Sequence, residues 1–588
     1  MAIRKAVVLA AGFGTRLRPL TLSRPKPLLP VMGEPMLGRI LDMLVSWGVE
    51  DIKVNAHYLA DQIEAFVKEY QGDAANAASH GVSITVSRED AIMGTGGVLR
   101  PLKGWIGDEP FWLVNGDIVV EDLDPEPIED AFEAGGRFAA CWMSEDFGPR
   151  TIEADPEGRV CNWKSDDAGY PGTYTYCGVA LLSPDVAGYL PPPRKAEGAK
   201  GEGFCSIVEA YENAMMSDGR FVIGVQEPDA SWCDAGTGDV YRELNSEPMA
   251  PSLFGDPRLD ALVSSLGWKD GEALAEYLGA RGSDRMFYKL HRSVASESGE
   301  PHGEPVLGVI YEEVRKENAN ARFAPVTRFL AAHGVAVPKL LADLPERNAY
   351  ATEFVEGKSL EELANAKGAD LVKLYLPALD VLKSLWAIPL DSQDLPELEP
   401  AFGPELFRWE RELFVRECVS GRYGMDALPK NVQQELEDVA AALAKEPQVF
   451  VHRDFQSSNL LYAGSGAKPM LIDYQGMRPG PAAYDVASLL YDPYVPMDGT
   501  DRKLLLEILS KGRTSPSPRM VTLAAVQRLC QALGAYCRLA AAGQLRFTKY
   551  ILRALGNLHH AVHDAELPAL AAFSHTLIDR EKICSSMA

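Results

Sequence analysis

Residues 5–10 read KAVVLA and run into LAAGFGTRLRPL at 9–20, with RPKPL following at 24–28. The first stretch is a short, continuously apolar run, the pattern of a strand covered on both faces. Gly12 and Gly14 then open a loop at the strand's carboxyl end, where α/β sheets hold phosphate groups. Bare backbone at these glycines lets N–H groups approach phosphate oxygens that a side chain would keep away. Arg16 and Lys26 add the positive charge that developing phosphate oxyanions require. A glycine pair alone is a common turn; joined to Arg16, Arg18, Pro19 and the Lys26–Pro27 step it is a specific signal.

Working outward, Met36, Leu37, Ile40, Leu41, Leu44 and Val45 recur at helical spacing within 35–48. Residues 51–55 (DIKVN) predict a strand, 59–70 a helix and 111–114 (FWLV) a further strand. This alternation predicts an α/β fold with a mostly parallel, Rossmann-like sheet. FWLVNGD at 111–117 then places Asp117 at the sheet's carboxyl edge, where a carboxylate can hold Mg²⁺. Asp234, in SWCDAGT, is a candidate second carboxylate, although a capping role is open to it as well. GTGG at 94–97 precedes a predicted helix and offers bare backbone to a base or ribose.

The pattern loosens over 243–258 (ELNSEPMAPSLFGDPR). A linker is placed at 246–258, between domains 1–245 and 259–588. Short strands around the polar hairpin SESGEPHGE are predicted over 286–311, and helical periodicity dominates beyond about 360. A small β-rich lobe before a large helical one is a bilobal arrangement. Within the second, VFVHRDFQSSNLL at 449–461 and PMLIDYQG at 469–476 stand out. His452-x-Asp454 followed by Asn459 has the spacing of a kinase catalytic loop. In that pattern Asp454 accepts the acceptor's hydroxyl proton, while Asn459 and Asp473 hold Mg²⁺.

A chain of 588 residues exceeds what one core supports. The absence of a long apolar run or of a signal-peptide pattern leads us to expect a cytoplasmic protein with no membrane association. The formal net charge of −25 argues against a nucleic-acid partner. Nine scattered cysteines without a C-x-x-C pair read as reduced thiols. His559, His560 and His563 share a helix, and packing or surface roles compete there with metal binding.

The first half, over roughly 4–245, resembles the bacterial nucleoside-diphosphate-sugar pyrophosphorylases. The resemblance implies that Gly12, Gly14, Thr15 and Arg16 hold a nucleoside triphosphate, UTP in the reading adopted here. It implies that Lys26 stabilises the attacked α-phosphate, that Asp117 and Asp234 bind Mg²⁺, that Gly97 lines the base pocket and that Gly178, in YCGVALL, abuts the sugar. The family's Glu-Lys-Pro step is absent; NWKSDD stands there, with Lys164 as its stand-in.

The second half, over roughly 260–575, resembles the aminoglycoside-phosphotransferase-like kinases, with IDYQG and GPAAYDVASLL closest to anomeric kinases of N-acetylmuramate and N-acetylglucosamine. This implies a bilobal, protein-kinase-like α+β phosphotransferase that uses ATP. By the same resemblance GSDR at 282–285, with Ser283 and Arg285, covers phosphates. TEFVEG binds adenine through backbone at Glu353 and Val355, and Asp485 braces the catalytic loop. The expected strand lysine is missing, because VIYEEVRKE at 309–317 is acidic where it should lie; Lys289 or Arg285 is the candidate replacement. The joint expectation is a bifunctional sugar-activating enzyme that feeds cell-wall recycling. Two alternatives stay open: a choline-type kinase joined to a phosphocholine cytidylyltransferase, and a nucleotidyltransferase with a non-catalytic kinase-like regulator.

Overall fold

The computed structural model describes residues 3–72, 81–165, 169–194, 200–269, 271–281, 284–292, 302–312, 319–464, 468–511 and 515–587. Two compact units emerge, one of Met1–Glu313 with Glu346–Ala349, the other of Val314–Pro345 with Tyr350–Ala588.

The first unit is built on a nine-stranded sheet. Its centre is β1 (Lys5–Leu9), which pairs in parallel with β2 (Asp51–Ala56) on one side. β2 carries the parallel edge strand β3 (Ser83–Arg88). On its other side β1 pairs in parallel with β4 (Phe111–Asn115). A short strand, β5 (Ile118–Glu121), follows β4 directly. Beyond β4 the sheet turns antiparallel through Thr173–Leu182, which also pairs with Ala139–Ser144.

The apolar run at 5–10 has a simple physical origin. Ala6 and Val8 point into one buried core with Leu37, Leu41 and Ile63, while Val7 points into another with Leu99, Leu113 and Tyr211. A strand covered on both faces has no polar alternate positions to offer. The helical spacing near 36–45 forms helix Met36–Ser46, and the helix predicted at 59–70 is Ala60–Gly72. Because β1 lies between β2 and β4, its carboxyl end opens a crevice at a change of winding direction.

The stretch read as a linker is closely packed within this unit. Pro251–Phe254 forms a 3₁₀ turn with both end residues buried, Met249 bridges to Ala275, and Asp256 caps helix Pro257–Ser265. Proline and glycine there shape an irregular but packed connection. Tyr241, Tyr277, Tyr288 and Phe254 form an aromatic cluster, with neighbouring centroids 5.3–5.6 Å apart. The strands predicted over 286–311 appear as Arg285–Arg292 and His302–Tyr311, and a further strand, Ala273–Arg281, precedes them. Residues 293–301 of the polar hairpin lie outside the described residues.

The second unit is mainly helical. Small strands interrupt it where polar residues must be held, at Gln448–Val451, Leu460–Tyr462, Met470–Leu471 and Arg478–Pro481. No helix among the described residues is long and apolar enough to cross a membrane.

Gly357 marks a tight approach in the second unit. A Cβ there would lie 2.1 Å from the carbonyl oxygen of Tyr462, which is backbone and cannot step aside. Gly357→Ala should destabilise the second unit by about 1–3 kcal/mol, the usual range for overpacking. Denaturant unfolding monitored by a probe in each unit would detect it, and an unchanged midpoint for the second unit would refute the contact.

Candidate active sites

In the first unit, the loop after β1 and the turn after β4 leave the sheet at the same level. Leu9 is paired with Asn115, and Gly116 N–H donates to Leu9 O at 2.9 Å. The strand Ser231–Asp234 runs antiparallel to β5 and sets Asp234 opposite Ile118, next to Asp117. Lys26 arrives from the turn Lys26–Leu28. Its ammonium, 6% exposed, lies 2.8 Å from Asp117 Oδ2 and 3.3 Å from Asp234 Oδ1. Arg16 reaches Asp234 Oδ2 at 3.6 Å. Gly14 has φ +60°, and a Cβ there would meet Thr21 Cγ2 at 2.8 Å and Lys26 Cβ at 3.0 Å, so the loop closes this tightly only on glycine.

A cavity of about 180 Å³ opens beside these groups, lined by Gly12, Gly14, Thr15, Arg16, Lys26 and Asp117 among others. Gly178 sits at the back of the turn, where a Cβ would press on Asn115 Nδ2 at 2.7 Å. Gly97 and Lys164 are not among the cavity's lining residues. A Cβ on Gly97 would meet the carbonyl oxygen of Gly203 at 2.7 Å, so its bare face accommodates the protein's own backbone. Lys164 is exposed and paired with Glu212 at 3.6 Å.

Sequence reasoning missed the support beneath this loop. Asn55 Oδ1 accepts from Ala10 N–H at 2.6 Å, and its amide donates to Glu89 Oε1 at 2.8 Å. Glu89 also accepts from Met93 N–H at 3.0 Å, which ties the loop to the GTGG turn. Burial raises the Glu89 carboxyl above its ordinary range. Gly236 was missed as well; a Cβ there would lie 2.6 Å from both Arg16 and Asp234. Asn55 lies next to the end of one strand and Glu89 directly follows another, which is the only signal the sequence carries for them.

In the second unit the candidate residues converge through short pairings. Leu460–Tyr462 runs antiparallel to Met470–Leu471, and Ile472 N–H donates to Asn459 O at 3.1 Å, which brings Asn459 beside Asp473. Asn459 donates its amide N–H to Asp454 O at 2.9 Å, and this orients its side-chain oxygen as an acceptor. Gln475 donates to Asp473 Oδ1 at 2.9 Å. Asp485 is fully buried and accepts from His452 N–H at 2.6 Å and Arg453 N–H at 2.9 Å. Burial pushes the Asp485 carboxyl up to about 7, against the opposing pull of those two donors. His452 is buried and held neutral, and its Nε2 lies 2.9 Å from Ile472 O.

Arg528, also missed, donates to Asp454 Oδ1 at 3.1 Å. Burial pulls its pKa down most strongly, but Asp454, Tyr484, Tyr536 and Glu410 together raise it and keep the guanidinium charged. Glu353 ends a strand, with its N–H on Lys339 O at 2.9 Å, and half-buried Val355 follows.

Arg285 and Lys289 lie in the first unit, on one face of strand Arg285–Arg292, opposite the buried Met286, Tyr288 and Leu290. Ser283 lies outside the described residues. In the acidic stretch at 309–317, Glu312 accepts from Arg258 at 2.7 Å and from Ser23 Oγ at 3.2 Å.

The donor sets suit Mg²⁺. In the first unit two carboxylates converge on one ammonium; in the second, Asn459, its amide oxygen left to accept, is joined by a backbone hydrogen bond to Ile472, the residue before Asp473. Among the described residues no cluster of three or more His, Cys, Asp or Glu could hold a metal by itself. Mg²⁺ is commonly held by one or two protein carboxylates together with substrate phosphates.

Residues 5–249 match the family model described as nucleotidyl transferase, and residues 302–519 the one described as phosphotransferase enzyme family. The chain is 31% identical over 260 residues to the N-acetylmuramate alpha-1-phosphate uridylyltransferase of Caulobacter vibrioides, spanning 41% of this chain and 95% of that protein. It is 31% identical over 189 residues to mannose-1-phosphate guanylyltransferase 1 of Arabidopsis thaliana, spanning 31% of this chain and half of that one. Among solved structures, a UDP-glucose pyrophosphorylase complexed with UDP-glucose is 18% identical, with a TM-score of 0.34, covering 41% of this chain and 97% of that one.

The elevated Asp485 pKa has a signed consequence. Between about pH 4 and 7 the folded protein holds a proton that the unfolded chain has lost, so this group's contribution to stability is lost as pH rises toward 7. Wild type compared with Asp485→Asn by urea unfolding should show wild type gaining on the order of 1 kcal/mol per pH unit from pH 7 down to 5.5. A difference independent of pH would show that Asp485 titrates normally.

Proposed function

Since the chain belongs to the nucleotidyl transferase family and carries a phosphotransferase-family domain behind it, we propose that it catalyses two consecutive steps of sugar activation. ATP phosphorylates a sugar, N-acetylmuramate or N-acetylglucosamine, at its anomeric hydroxyl. The sugar 1-phosphate then attacks the α-phosphorus of UTP, giving a UDP-sugar and pyrophosphate that serve cell-wall recycling. The nucleotidyltransferase module is 1–245 and the kinase module 259–588, joined by 246–258.

One observation carries this reading: the chain holds two separate sets of oxygen-bearing side chains, Asp117–Asp234 about Lys26 in one unit and Asp454–Asn459–Asp473 in the other. Each set suits in-line phosphorus chemistry. In the first, Gly12, Gly14, Thr15 and Arg16 cradle the triphosphate. Lys26 neutralises charge on the attacked phosphate, and Gly178 abuts the sugar. In the second, Asp454 takes the hydroxyl proton, while Glu353 and Val355 bind adenine through their backbone. Asp117 with Asp234, and Asn459 with Asp473, would hold Mg²⁺, which supplies charge neutralisation at the phosphates when bound. The choice of N-acetylmuramate and UTP follows the Caulobacter relative. The joined Asp454, Asn459 and Asp473 support a catalytic second module over a purely regulatory one.

Incubation with ATP, UTP, Mg²⁺ and a panel of free sugars, followed by mass spectrometry, should show a sugar monophosphate and then a UDP-sugar. Asp117→Ala should stop at the monophosphate with a loss of at least about 100-fold in the second step, the scale of removing one electrostatic group from such a site. Asp454→Ala should form UDP-sugar only from added sugar 1-phosphate. Retention of both steps in either variant would reject the assignment of that site.

A further inference from the structure

Arg528 lies on helix Pro518–Ala541 and is 9% exposed. Its Nη2 donates to Asp454 Oδ1 at 3.1 Å and to Gln456 Oε1 at 3.3 Å. Its Nε donates to Ser488 Oγ at 3.2 Å, and Nη1 meets Gln531 Oε1. The Asp454 side chain, by contrast, is 42% exposed. A carboxylate that open to water needs no counter-ion for its own solvation. A guanidinium this buried is expensive unless every donor is engaged, and an apolar residue at the same helix position would commonly be as stable or more so. The asymmetry points to a role at the carboxylate. Arg528 engages only Oδ1, and among the described residues no other side chain hydrogen-bonds the Asp454 carboxylate, so Oδ2 is left for a hydroxyl.

We propose that Arg528 is a positioning residue for phosphoryl transfer, holding Asp454 by Oδ1 so that Oδ2 faces the hydroxyl of the acceptor. This rests on the kinase reading above. In the step itself the acceptor oxygen bonds to the γ-phosphorus, the bond from that phosphorus to the ADP oxygen breaks, and the hydroxyl proton passes to Asp454 Oδ2. Gln456, Ser488 and Gln531 hold the guanidinium plane, and a lysine ammonium cannot meet these three and Asp454 at once.

The test uses full-length protein, with sugar-dependent ADP release as the kinase readout. Arg528→Ala should lower kcat about 100-fold or more and Arg528→Lys about 10-fold, the scale expected when a reacting group is misplaced. KM for ATP should stay within threefold. Added guanidinium should restore at least a tenth of wild-type kcat in Arg528→Ala, a recovery that a general packing role would not produce. Nucleotidyl transfer to added sugar 1-phosphate serves as the internal control for folding of the rest of the chain. Unchanged kcat overturns the inference. So does a loss matched by a lowered thermal midpoint in both variants and not rescued by guanidinium. If Arg528→Ala fails to fold, Arg528→Lys decides alone: a 10-fold lower kcat at wild-type KM and thermal midpoint supports the role, and any other outcome overturns it. A wild-type chain with no sugar-dependent ADP release sinks the kinase reading itself, and the inference with it.

Discussion

The ammonium of Lys26, almost closed off from water between two carboxylates, is the contact on which the first unit's site depends. The three groups, from residues 26, 117 and 234, meet only because the backbone leaves no slack. Gly14 allows the loop to fold onto Thr21 and Lys26. The parallel pairing of β1 with β4 levels the two loops, and the antiparallel pairing of Ser231–Asp234 with β5 delivers the last carboxylate. A buried ammonium without both carboxylates would carry an uncompensated charge, so register and electrostatics constrain each other here. The global charge of −25 makes the arrangement more telling. Binding of an anionic nucleotide must rely on a few cations and N–H groups placed at one sheet edge.

The second unit holds its loop with buried carboxyl groups. Asp485 takes two backbone N–H groups from His452 and Arg453 and so fixes the path of the chain into Asp454. Asp492, seven residues further on and just past the end of helix Ala482–Leu490, repeats the device, accepting from Ser457 N–H and Oγ. Two buried carboxyl groups therefore shape the loop, and the buried guanidinium of Arg528 donates to Asp454 Oδ1.

Much of this was legible in the sequence because the signals are local. The strand–loop step at 5–20, the NGD turn and the HRD-x-x-x-x-N spacing each lie within one segment, and local spacing is what a sequence displays. Asn55, Glu89, Gly236 and Arg528 were illegible for the opposite reason. Each acts on a segment that the fold brings to it, Arg528 across 74 residues to Asp454 and Asn55 across 45 to Ala10. The stretch at 246–258 shows a different limit. Proline, serine and glycine mark irregular backbone, yet irregular chain can be as firmly packed as a helix, as buried Pro251 and Phe254 show. Lys164 was favoured by its place in the sequence near the sugar strand, whereas in space it pairs with Glu212 on the surface.

The acidic stretch at 309–317 gains a reason from its surroundings. Glu312 accepts from Arg258, which is itself held by Asp256, and from Ser23, three residues before Lys26. A lysine at position 312 would put a second cation against Arg258 and turn an attraction at 2.7 Å into a repulsion. The residue that closes the strand is thus committed to anchoring within its own unit. On the neighbouring strand, alternation along Arg285–Arg292 sends Met286, Tyr288 and Leu290 into the core and sets Arg285 and Lys289 on the other face, where Arg285 is itself buried.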